Sequence, residues 1–216
     1  MRKTALLFLP SLLATVSMLS ACGPKALTIG ETAVDRAATC GVVAAAQART
    51  VSTDYKAPLT VEARGKVLQY ALLAGAEGQS FKPEAAGAVI KRMPELADEV
   101  TDKNWKKLVQ PCAEAFPVSA TAMTVLPKDP LVSAVGCDQM SSFMRKALST
   151  GMEYDGEVQR IGKLSMRLDE KVAPLLSRAG KSSDAQTQAV KMEAMATFAK
   201  LGPPDKVIDA CVARYS

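Results

Sequence analysis

The 216 residues carry 27 basic and 22 acidic side chains, a formal net charge of +5 that is too mild to argue for a nucleic-acid partner. There is no histidine, which removes histidine bases, histidine metal ligands and C-x-x-C-H haem attachment together. Aromatic residues are sparse at 5% and alanine is abundant, a composition that points to an all-α protein with closely approaching helices.

In chain order, Arg2 and Lys3 form a basic start, and Ala5–Met18 form an apolar stretch broken by Pro10. That is the anatomy of a secretory signal peptide, too short and wrongly flanked for a stable transmembrane helix. The stretch ends in Leu19-Ser20-Ala21-Cys22, where an ordinary leader would end in small residues without a cysteine. No second run of about 20 apolar residues follows, so a mature chain is not expected to span a membrane.

Leu19 to Cys22 resembles the lipobox of bacterial lipoproteins. The resemblance implies cleavage after Ala21, a diacylglycerol thioether on the Cys22 sulfur, and acylation of the new amino group. Several acyl chains, at roughly 0.8 kcal/mol per buried CH₂, would hold a domain firmly on a bilayer. Gly23 stands where an aspartate tends to retain such proteins at the inner membrane. The resemblance therefore implies the outer membrane, with the domain in the periplasm. It covers about a tenth of the chain and names no domain family.

An oxidising compartment makes Cys40, Cys112, Cys137 and Cys211 candidates for two disulfides. Cys40 and Cys112 lie 72 positions apart, and Cys137 and Cys211 lie 74 apart. An offset of 97 carries Cys40 to Cys137, Ser52-Thr53 to Ser149-Thr150, and Gly65-Lys66 to Gly162-Lys163. Near the far cysteines, Lys107, Leu108, Val109 and Phe116 align with Lys206, Val207, Ile208 and Tyr215. This reads as an internal duplication, two tandem helical bundles tied by Cys40–Cys112 and Cys137–Cys211. Structural zinc sites pair cysteines two to four residues apart, and these are dozens apart. No C-x-x-C redox pair occurs.

The expected organisation is a leader over 1–21, a tether over 22–30, a first unit over 31–117, a linker over 118–132 and a second unit over 133–216. Helices are expected at 31–52 and 60–74, then from Pro83 with a kink or break before Pro94. A fourth helix at 102–116 places Trp105, Leu108, Val109, Cys112 and Phe116 on one face and bends at Pro111. The second unit repeats the plan: 133–148, 157–179, a helix capped by Ser183 that ends near Gly202, and a last helix opened by Pro203-Pro204. Gly65 and Gly162, matched and mid-helix, suggest close helix packing.

No G-x-S-x-G, G-x-x-x-x-G-K-[ST] or G-x-G-x-x-G motif occurs, and no catalytic residue or cofactor is assigned. Thr53 with Lys56 is a poor approach to a hydroxyl–lysine pair, because it falls in a loop. Glu153, Asp155 and Glu157 lack calcium-loop spacing and read as solvated charge. Met140 with Met144, Met192 with Met195, Met152 and Met166 serve as core fillers in one reading and as Cu(I) ligands in another. Trp105, among Lys103, Lys106 and Lys107, reads as a core residue flanked by solvated lysines. The leading expectation is a lipid-anchored periplasmic binding module that is not an enzyme, with an envelope protein or peptide as partner. The alternatives are a carboxylate-dependent cell-wall hydrolase and a methionine-based copper lipoprotein.

Overall fold

The computed structural model describes residues 27–52, 54, 57–120, 124–149 and 156–215. Cys22, Thr53, Lys56, Met152, Glu153 and Asp155 lie outside these. Among the described residues the chain is all-α, with eight helices and no strand.

The first set begins with α1 (Ala33–Arg49), where the Thr32 hydroxyl accepts the Asp35 N–H at 3.0 Å. Thr60 caps α2 (Val61–Gly75) in the same way through the Ala63 N–H at 3.2 Å. Each cap satisfies one of the N–H groups that a helix start leaves without an intrahelical acceptor. Helix α3 (Pro83–Asp102) starts on proline and runs through Pro94 as one continuous element, where a kink or break was expected; no break occurs. Pro94 cannot donate to the Ile90 carbonyl, but both residues are exposed, so water can serve that carbonyl.

The expected helix at 102–116 is two pieces, a 3₁₀ turn at Trp105–Leu108 and α4 (Val109–Ala115). Pro111 is the third residue of α4, within the turn whose N–H groups have no intrahelical acceptor. Proline therefore opens this helix rather than bending it. A second 3₁₀ turn, Pro117–Ala120, spans the expected end of the first unit and the start of the linker.

The second set comprises α5 (Pro130–Leu148), α6 (Gly156–Arg178), α7 (Asp184–Ala199) and α8 (Pro204–Tyr215). Asp129 caps α5, and Ser183 caps α7 in a reciprocal box with Gln186, as expected for Ser183. Gly180, at φ +68°, takes the left-handed turn that stops α6 while the Lys181 N–H returns to the Leu176 carbonyl at 2.9 Å.

Each set is built around its first helix: α1 packs against α2 and α3, and α5 against α6, α7 and α8. The disulfides Cys40–Cys112 and Cys137–Cys211 tie the first helix of each set to its last, with Cα atoms 5.4 and 5.7 Å apart. All four sulfur-bearing residues are buried. The sets share one continuous apolar core, which α2 joins by packing on α5, α7 and α8. Across this seam the Phe81 N–H donates to the Met192 carbonyl at 2.9 Å, and Lys200 Nζ donates to the Gly78 carbonyl at 2.8 Å.

Close approach occurs at glycines beside the cysteines rather than at the matched pair. A methyl on Gly41 would strike the Met93 thioether, and one on Gly136 would strike the Phe198 ring. Gly65 is buried, yet a methyl there would meet Met144 Cε at an ordinary 3.5 Å. At Gly162 no described residue would lie within 4 Å of a methyl, so the expected close packing is absent there among the described residues.

Candidate functional site

The open end of the first set holds a cavity of about 580 Å³, bounded by the last turns of α1, the first turns of α2 and by α4. It lies beside the short α4, which the Cys40–Cys112 bridge ties to the middle of α1. Val43, Ala44, Leu59, Ala63 and Val109 form apolar walls, and Cys112 and Tyr70 close the inner end.

Tyr70 is buried, with its ring edge-on to Phe116 at a centroid distance of 5.3 Å. Burial raises the pKa of its hydroxyl, which Ser119 partners by a hydrogen bond. Tyr70 therefore stays a neutral phenol at the cavity wall.

The rim is polar. Lys66 Nζ donates to Glu62 Oε1 at 2.8 Å, one turn apart on α2, and this hydrogen bond holds the Glu62 carboxyl below the usual carboxylate range. Gln47 and Arg49 stand across from them on α1. An apolar interior of this size beneath a charged rim suits a small amphiphile, with its body inside and its head at the rim.

The four disulfide cysteines do structural work and bring no reactive thiol to this cavity. Cys22, the expected lipidation site, lies outside the described residues. Leu27 and Ile29, in the segment expected as a tether, already pack against the core.

Met140, Met144 and Met195 are buried in the core, Met192 packs against it, and Met166 is 64% exposed on α6. The positions of Met140, Met144, Met192 and Met195 support the core-filling reading; that of Met166 does not. Trp105 also packs against the core, with Lys103, Lys106 and Lys107 exposed around it. Glu157 pairs with Arg160, which also reaches Asp209. Among the described residues no three Cys, Asp or Glu side chains gather as a metal site would require.

One polar feature escaped sequence reasoning. Asp138, directly after Cys137 on α5, is only 8% exposed, and burial raises its carboxyl pKa. The available signal was its place in the run Val135-Gly136-Cys137-Asp138, an acid beside a cysteine expected to be buried.

No family model, curated protein or solved structure matches the chain. Among the described residues no helix is long and apolar enough to cross a membrane.

Proposed function

We propose that the chain is a lipid-anchored binding module on the periplasmic face of the outer membrane, one that takes a small amphiphilic envelope component into the cavity beside Tyr70. The cavity carries this reading: about 580 Å³, apolar within, and rimmed by Lys66, Glu62, Gln47 and Arg49. Binding requires no residue to be regenerated, and the groups at hand supply contact and charge rather than a nucleophile and its base. The lipobox-like Leu19–Cys22 segment supports the anchor, and Gly23 supports the outer membrane. The matched cysteine spacing supports a duplicated origin for the two helix sets.

Fluorescence titration with dansyl-labelled undecanoic acid tests the ligand class. The wild type should bind it, and Ala63→Trp, which puts an indole into the cavity from its wall, should weaken binding by about tenfold or more, on the order of 1.4 kcal/mol. Equal affinity in a variant that melts like the wild type would remove the cavity from consideration. Cys22→Ala should move the protein from the membrane to the soluble fraction, and an unchanged partition would refute the lipid anchor.

A further inference from the structure

Among the described residues, the charged side chains that line the Tyr70 cavity are Arg49, Glu62 and Lys66, two cations and one anion. The end of α1 and the start of α2 meet at the mouth, and their partial charges are opposite in sign and offset each other. The side chains therefore set the sign of the rim.

Lys66 and Glu62 are bonded at 2.8 Å, yet their side chains stay 54% and 63% exposed. An ammonium has three N–H donors. Glu62 takes one of those on Lys66, and no other described residue is its partner. The Glu62 carboxylate is ionised and already faces a cation, so its charge is matched within the rim. Arg49 Nη1 donates to the Ala57 carbonyl at 3.4 Å, which keeps the guanidinium at the mouth. One positive charge is left over.

The inner end offers a charged group little. The Tyr70 hydroxyl is bonded to that of Ser119, which donates onward to the Phe116 carbonyl at 2.7 Å. These polar groups are engaged with one another, so the interior suits an apolar body and the rim suits a head. Val51, also at the mouth, is 86% exposed, the most exposed of the large apolar side chains described. An apolar chain that emerges from the cavity would cover it.

We propose that the cavity selects an amphiphile with an apolar chain and an anionic head, a carboxylate or a phosphate, and that Lys66 reads the charge of that head. This rests on the reading of the cavity as an amphiphile site and adds the sign of the head group. The two remaining N–H donors of Lys66 make charge-assisted hydrogen bonds to the anion while Glu62 holds the ammonium in place. Arg49 adds positive charge from across the mouth. A cationic head would meet two cations and an anion that is already paired. A neutral head would gain only the contacts of its chain.

Calorimetric titration of the full chain with four ligands of equal chain length isolates the head group. Decanoate represents a fatty acid, decyl phosphate represents a phospholipid-type head, decan-1-ol is neutral, and decylammonium is cationic. At least one of the two anions should bind about fivefold or more tighter than decan-1-ol, and decylammonium should bind more weakly than either anion. High salt should narrow the margin, since the rim is open to water. Lys66→Gln should bring the anions down to the affinity of decan-1-ol and leave decan-1-ol itself unchanged, whereas Lys66→Arg should keep the preference. Lys66 is exposed on α2, and unchanged binding of decan-1-ol shows that Lys66→Gln is folded. Equal affinity for anionic and neutral heads, or a preference for anions that survives Lys66→Gln, would overturn the charge selection. If such binding is still lost in Ala63→Trp, the cavity reading stands without it. No binding of any of the four would overturn both.

Discussion

Helices α2 and α6 hold the second place in their sets and carry the matched Gly65-Lys66 and Gly162-Lys163, yet their surroundings differ. Helix α2 is enclosed by α1, α3, α5, α7 and α8. Its buried residues run around the helix and include Gln69, whose amide donates to the Val118 carbonyl at 3.3 Å. Among the described residues, helix α6 makes its main contacts with α5 and α8, and it buries a single stripe, Ile161, Leu164, Leu168, Val172 and Leu176. A helix with neighbours on all sides loses amphipathic contrast, and one with neighbours on a single side keeps it. Position in the chain set the order of the helices; the number of neighbours set their pattern.

The largest effect that can break this comparison is loss of a disulfide. Cys40→Ala with Cys112→Ala, or Cys137→Ala with Cys211→Ala, removes a cross-link over a loop of 72 or 74 residues. Each pair should cost roughly 4 kcal/mol on the chain-entropy account, lowering Tm by roughly 8–16 °C. Because the core is continuous, calorimetry should record one transition in both cases. Two separate transitions would mean that the sets are independent and that α2 does not couple them.

Glycine substitutions sharpen the contrast at a smaller scale. Gly136→Ala pushes a methyl into the buried Phe198 ring and should cost about 1–3 kcal/mol in denaturant unfolding. Gly162→Ala, on the open side of α6, meets nothing within 4 Å and should gain up to about 1 kcal/mol from helix propensity. A loss at Gly162 would mean that α6 has a neighbour at that face.

The first helices differ in a third, smaller way, through their acids. Asp35 on α1 accepts hydrogen bonds from Arg92 and Thr32, which hold its carboxyl below the ordinary range. Its contribution is present above the ordinary carboxylate pKa and is lost as pH falls through the depressed value. Asp138 has the opposite sign, because burial raises its pKa and the folded state favours the proton. Its stability is greatest below the ordinary carboxylate pKa and is lost as pH rises through the raised value. Thermal melts from neutral to acidic pH should therefore show Asp35→Asn below the wild type and Asp138→Asn above it at neutral pH. Both differences should shrink on acidification. A matching sign for the two variants would contradict the burial of Asp138.

Much of the fold was legible because its signals are local or countable. Ser183 announces its helix through a side chain that reaches its own backbone. The four cysteines pair within their sets because matched spacing singled out one connectivity of three. No break forms at Pro94 and Pro111 opens its helix, because a proline's cost depends on what faces the carbonyl it strands and on its distance from the helix start. Gly136 and Gly41 went unnoticed since their role depends on Phe198 and Met93, far away in sequence. The Tyr70 cavity was not legible either. It lies where the end of α1, the start of α2 and α4 meet, and no residue pattern along one helix encodes that meeting.

Leu27 and Ile29 carry one more consequence through their contact with the core. Leu27 is five positions on from Cys22, and an extended chain spans at most about 3.4 Å per residue, or roughly 17 Å. With acyl chains on Cys22, the protein would be on a short leash, its α1 start held against the headgroups and its swing confined to a shallow cap. It would work as a fixture of the membrane surface, and whatever it takes up would have to come from the bilayer's own neighbourhood.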